Sequence, residues 1–141
     1  MTWVVSMFSP TRLYGFCASP DGKELAFHAS AFHRLKPGGP GPISGEPVEV
    51  GEIRQGDKGP FVDRVSRLVE PVRNVGTIKS YDATKGWGFV QSGGGDPIFL
   101  HSSDLNEPWL PVIGTHVQFY EGRKRGRKRA CWVRPDPLGL E

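Results

Sequence analysis

The sequence predicts an all-β protein made of two five-stranded antiparallel barrels in tandem, within 141 residues. Three observations carry this expectation. Nineteen glycines and thirteen prolines favour frequent turns over long helices. Short runs of alternating apolar and polar residues recur every eight to twelve positions, with no helical period between them. Finally, the second half of the chain repeats the first.

The repeat is ungapped over its N-terminal part. Residues Val5 to Phe16 overlay Ile78 to Phe89 at a constant offset of 73, and the same offset pairs Leu25–Ser30 with Ile98–Ser103. Tyr14, Gly15, Phe16 and His28 thereby fall on Trp87, Gly88, Phe89 and His101. At smaller offsets Gly45–Val50 resembles Gly114–Phe119, and Asp63-Arg64-Val65 resembles Cys131-Trp132-Val133. Two domains follow, residues 1–70 and 74–135, joined near Glu70-Pro71-Val72-Arg73-Asn74. A proline suits such a connection better than a strand interior.

In the second copy the expected strands are Val75 to Asp82, Trp87 to Ser92, Pro97 to His101, His116 to Tyr120 and Ala130 to Arg134. Closing them into a barrel removes the exposed edges that an open sheet would carry. Lys36-Pro37-Gly38-Gly39-Pro40-Gly41-Pro42 reads as the long loop of the first barrel. Trp3 and Trp132 read as packing residues.

Composition narrows the function. No run of eighteen apolar residues is present, and no basic-then-apolar leader opens the chain, so a soluble cytoplasmic protein is expected. Cys17 and Cys131 are far apart and lack neighbouring histidines, which argues for two buried thiols and against a metal site. There is no nucleophile elbow, no phosphate-cradling glycine loop and no suggestive carboxylate pair, so neither an enzyme nor a cofactor is expected. The formal net charge is +3, yet six positive charges sit in Arg123-Lys124-Arg125-Gly126-Arg127-Lys128-Arg129. Without those six the remainder would stand at −3, so the positive field is local.

Lys85-Gly86-Trp87-Gly88-Phe89-Val90 interleaves a cation, glycines and aromatics, and Ile98-Phe99-Leu100-His101 follows ten residues on. Strand alternation puts Trp87 and Phe89 on one face, and Phe99 and His101 on one face of the next strand, opposite the aliphatic residues. Exposed rings of this kind are platforms for stacking unpaired bases.

Residues 76–90 together with 98–103 resemble the two signature segments of the bacterial cold-shock domain. That resemblance implies an OB-type barrel that binds single-stranded RNA or DNA, often as an RNA chaperone. Carried over by position, it makes Trp87, Phe89, Phe99 and His101 the stacking residues, with Lys79 and Lys85 near phosphates. It also brings Tyr81 beside this surface and Trp109 close to a further stacking position. Two departures stand out: Ser80 replaces the family's usual tryptophan, and Ser102 replaces the aromatic after the histidine. The first copy departs further, with Ser6, Met7, Leu13, Ala26 and Ala29 at motif positions. Arg12, Tyr14, Phe16 and His28 persist and could give a secondary nucleic-acid surface with residual stacking, but most of the platform is lost, and this half is expected to serve mainly as a structural or interaction barrel.

The basic run reads as a hairpin loop between the last two strands, flanked by Gly122 and split by Gly126. Arg123, Lys124, Arg125, Arg127 and Lys128 would hold phosphates without reading sequence. The expected partner is single-stranded RNA or DNA, with no membrane. The alternative reading is a protein-interaction module, in which the altered barrel faces form a homodimer.

Overall fold

A computed structural model describes residues 2–106 and 109–136. The chain divides into two compact units, Met1–Pro71 and Val72–Glu141, each with its own apolar core. Among the described residues, no helix is long and apolar enough to cross a membrane.

The second unit contains β9 (Arg73–Asp82), β10 (Trp87–Gln91), β11 (Ile98–His101), β12 (His116–Lys124) and β13 (Arg127–Pro135). They close into a barrel in the order β10-β11-β13-β12-β9. All neighbours are antiparallel except β11 and β13, which run parallel and pair Phe99 with Arg129. Alternation along the strands fills the interior with Ile78, Val90, Ile98, Leu100, Val117, Phe119, Ala130 and Val133.

The first unit holds eight shorter strands: β1 (Trp3–Ser9), β2 (Tyr14–Ala18), β3 (Glu24–His28), β4 (Phe32–His33), β5 (Pro47–Val50), β6 (Ile53–Gly56), β7 (Gly59–Val62) and β8 (Val65–Arg67). Their order is β4-β8-β5-β1-β2-β3-β7-β6. Where a closed five-stranded barrel is expected, eight strands form one sheet that follows the same path with its last hairpin interrupted: β5 and β6 occupy the path of β12, and β7 and β8 that of β13. The interruption has a local cause. Asp63 turns its side chain into the ladder, where Oδ1 accepts the Glu52 amide at 3.0 Å, while Gly51 donates to the Arg64 carbonyl at 2.7 Å. A Cβ on Gly51 would lie 2.7 Å from that carboxylate.

The repeat extends to individual bonds. At the offset of 73, core residues Val5, Cys17, Leu25, Phe27 and Phe32 match Ile78, Val90, Ile98, Leu100 and Leu105. Both first strands carry a register shift, at Ser6 and at Lys79. Leu13 and Gly86 both adopt positive φ, at 60° and 77°, and their carbonyls accept the equivalent amides of Ala29 and Ser102. Just beyond each shift a glycine permits close backbone approach. A Cβ on Gly88 would meet the Ser80 carbonyl oxygen at 2.1 Å, and one on Gly15 the Met7 oxygen at 2.5 Å. Gly88→Ala is therefore expected to destabilise the second unit by about 1–3 kcal/mol, read as a shifted urea midpoint.

The basic run differs from the loop expected of it. β12 continues to Lys124 and β13 begins at Arg127, so only Arg125 and Gly126 form the turn. Both have positive φ, 54° and 78°, as a two-residue type I′ hairpin turn requires. A ribbon projecting into water leaves both faces solvated, so it accommodates a density of charge that a barrel wall would not.

Both cysteines are buried free thiols. Burial pushes the Cys17 thiol from 9.0 up to about 12. Its stabilising effect is complete below pH 9.0 and fades as pH climbs toward 12, because over that range only the unfolded chain releases the proton. Neither thiol is expected to react with Ellman's reagent at pH 8 until denaturant is added.

Candidate functional site

The outer face of β10 and β11 gathers the predicted rings. Cross-strand pairing sets Trp87 opposite His101 and Phe89 opposite Phe99. Trp87 and Phe99 stack with centroids 6.1 Å apart at 29°, while Phe89 meets Trp87 edge-on at 5.9 Å and Phe99 edge-on at 6.0 Å. These are favoured aromatic geometries. Gly88, Val90, Ile98 and Leu100 beneath them are buried, whereas Trp87 is 38% exposed. Three rings thus stand on an aliphatic core and face water.

His101 is fixed at the edge of this patch. Its Nδ1 accepts the Ser103 amide at 3.1 Å and lies 2.9 Å from Ser103 Oγ. His28 has the same arrangement with Ser30, at 3.0 and 2.9 Å. Both bonds engage Nδ1 and leave Nε2 to meet a ligand. Lys79 is exposed at the register shift of β9. Lys85 is exposed in the turn before Trp87, where Asp82 Oδ1 accepts the amides of Thr84 and Lys85.

Two predicted site residues lie elsewhere. Tyr81 packs on the core and pairs with the buried Gly88, because the shift at Lys79 moves it out of the row of Trp87, where an unbroken register would set it. Trp109 also packs on the core, its Nε1 donating to the Val133 carbonyl at 3.2 Å. Neither joins the three-ring cluster.

Across from the rings stands the β12–β13 hairpin. Between them runs a groove of about 990 Å³ whose walls include Phe89, Phe99, Lys124, Arg125, Arg127 and Lys128. Arg123, Lys124, Arg125, Arg127 and Lys128 are all exposed. Arg123 Nη1 donates to the Gly126 carbonyl at 3.3 Å, and Lys128 lies 3.9 Å from Glu121. At that exposure such a pair is worth little and yields to a stronger anion.

Arg129 behaves differently from its neighbours. Its Nε donates to Asp104 Oδ2 at 2.7 Å, and that same oxygen accepts the His101 amide at 3.0 Å. Burial raises the Asp104 carboxyl's pKa, and the adjacent guanidinium pulls it back. The sequence placed Arg129 in the basic run; the partner twenty-five residues upstream was invisible there.

In the first unit Tyr14 and Phe16 meet edge-on at 5.8 Å, near the exposed Arg12. Ala26 stands where Phe99 does, so the third ring is missing from β3. The next residue across is Phe61 on β7, which pairs with Ala26 as Arg129 pairs with Phe99.

No protein-family model matches the chain. A 55-residue segment is 34% identical to cold shock domain-containing protein CG9705 of Drosophila melanogaster, covering 38% of this chain and 38% of that relative. Among solved structures, Drosophila Unr CSD456 superposes with a TM-score of 0.46 and 16% identity, over 99% of this chain and 63% of that one. That superposition is loose, and the barrel assignment rests on the strand pairing itself.

Proposed function

We propose that this chain is a cold-shock domain protein with an OB-type barrel, and that its second unit binds single-stranded RNA or DNA without catalysing a reaction. The observation that carries this reading is the three-ring patch, two of whose rings, Phe89 and Phe99, share one groove with a cationic hairpin. Bases stack on Trp87, Phe89 and Phe99, with His101 at the edge, while the hairpin neutralises phosphates. Every base has a π face, so stacking of this kind tolerates sequence. Holding strands unpaired shifts RNA away from its folded forms, which is chaperone action requiring neither ATP nor metal.

Titrating the protein with oligo-dT or oligo-U at low salt is expected to quench Trp87 fluorescence, and Trp87→Phe should remove that signal. No quenching in the wild type would sink the platform assignment. Replacing Lys124, Arg125 and Arg127 with glutamine is expected to flatten the salt dependence, by a slope of about 0.7 for each phosphate no longer neutralised. A stable dimer on size exclusion, indifferent to oligonucleotide, would instead make this face a protein interface.

A further inference from the structure

The six cations of Arg123 to Arg129 do not form one electrostatic group. Arg129 points back to the barrel wall, where its side chain is only 16% exposed and its Asp104 partner 11%. Nε and Nη2 lie on one edge of the guanidinium fork, and both are committed, to Asp104 Oδ2 at 2.7 Å and to Ser103 Oγ at 3.3 Å. Two bonds to one edge fix the plane without engaging its faces. Cζ lies 6.0 Å from the centre of the Phe99 ring, and both residues line the groove.

Strand pairing places this group in a single row across the sheet: Ser80, Phe89, Phe99, Arg129. The corresponding row of the first unit is Met7, Phe16, Ala26, Phe61. The two copies share a planar side chain at the fourth position, not a charge. The carboxylate goes with the cation: at the offset of 73, Asp104 corresponds to Ala31. A guanidinium already neutralised by a carboxylate has little counterion to release when a phosphate arrives, but its faces remain good stacking surfaces.

We infer that Arg129 is a base-stacking residue, positioned by Asp104, that extends the platform by one nucleobase toward β13. This rests on the single-stranded nucleic-acid reading of the second unit. Arg125, at the hairpin tip, binds phosphate; Arg129 does not.

The test is oligo-dT affinity across a salt series with full-length protein. Arg129→Lys keeps the charge and the Asp104 pairing but loses the plane. It is expected to weaken binding at least about fivefold, a fold-change that corresponds to the low end of one lost base stack, with the salt slope unchanged. Arg129→Phe combined with Asp104→Ala installs the first unit's pattern and is expected to restore affinity to within about threefold of wild type, again without a change of slope. Arg125→Gln serves as the contrast, lowering the slope by about 0.7. The inference is overturned if Arg129→Lys binds as tightly as wild type, or if the double variant lowers the slope as Arg125→Gln does. Should wild type itself not bind oligo-dT or oligo-U, the underlying reading fails instead, and the two failures are distinct.

Discussion

Replacing Arg67 with alanine is expected to cost the first unit about 3–5 kcal/mol, a large fraction of a small domain's stability. The guanidinium is fully buried and makes four bonds. Nε and Nη2 donate to the two Glu46 oxygens at 2.7 and 2.9 Å, Nη1 to the Pro40 carbonyl at 3.0 Å, and Nη2 to the Gly41 carbonyl at 2.8 Å. Its Cζ also sits 5.0 Å from the Phe32 ring centre. Truncation strands the Glu46 carboxylate, 9% exposed, without a counter-ion and orphans two carbonyls of the 36–42 loop. Urea unfolding followed by far-UV circular dichroism should show the first unit's transition moving to low denaturant. Oligonucleotide quenching of Trp87, which belongs to the other unit, should survive. A midpoint within about 0.3 M of wild type would mean that water reaches the pair and replaces its bonds.

Arg67 also marks what sequence reading reaches and what it does not. The repeat was legible because both copies solve the same packing problem at the same positions, down to the histidine–serine bonds at His28 and His101. The aromatic face was legible because strand alternation is geometric: once Val90 and Leu100 go inside, Phe89 and Phe99 must go out. Charge partners were not legible, since Arg67 finds Glu46 and Arg129 finds Asp104 only after the strands close. The same holds for Tyr81, whose orientation depends on one extra residue at Lys79, a shift that hydrophobic alternation does not record. Gly122 and Gly126 suggested a loop across the basic run, but only the Arg125-Gly126 pair makes the turn, and so tight a turn lets both strands continue through the charges.

Phe99→Ala is expected to reduce oligonucleotide affinity by about 1–3 kcal/mol, roughly 5- to 150-fold, with a small effect on stability. The ring is the centre of the patch, in contact with both Trp87 and Phe89 and bordered by Arg129. It lies on the outer face, so its removal opens no cavity in the core. Its loss also leaves Trp87 without its stacked neighbour, and a ring free to turn stacks less well on a base. Phe99→Ala with Trp87→Ala should therefore lose less than the sum of the two single losses, the coupling expected of residues in contact. Equal and strictly additive losses in fluorescence anisotropy titrations would show that the rings act separately and that the patch is no preorganised platform. The first unit already has alanine at this position, Ala26, beside Tyr14 and Phe16. Phe99→Ala thus converts the second patch into the first one's pattern of two rings and a gap. If three contiguous rings are what make the platform, the variant should stack bases no better than the first unit does, and the binding it keeps should come from the cationic β12–β13 hairpin and grow more salt-dependent in proportion.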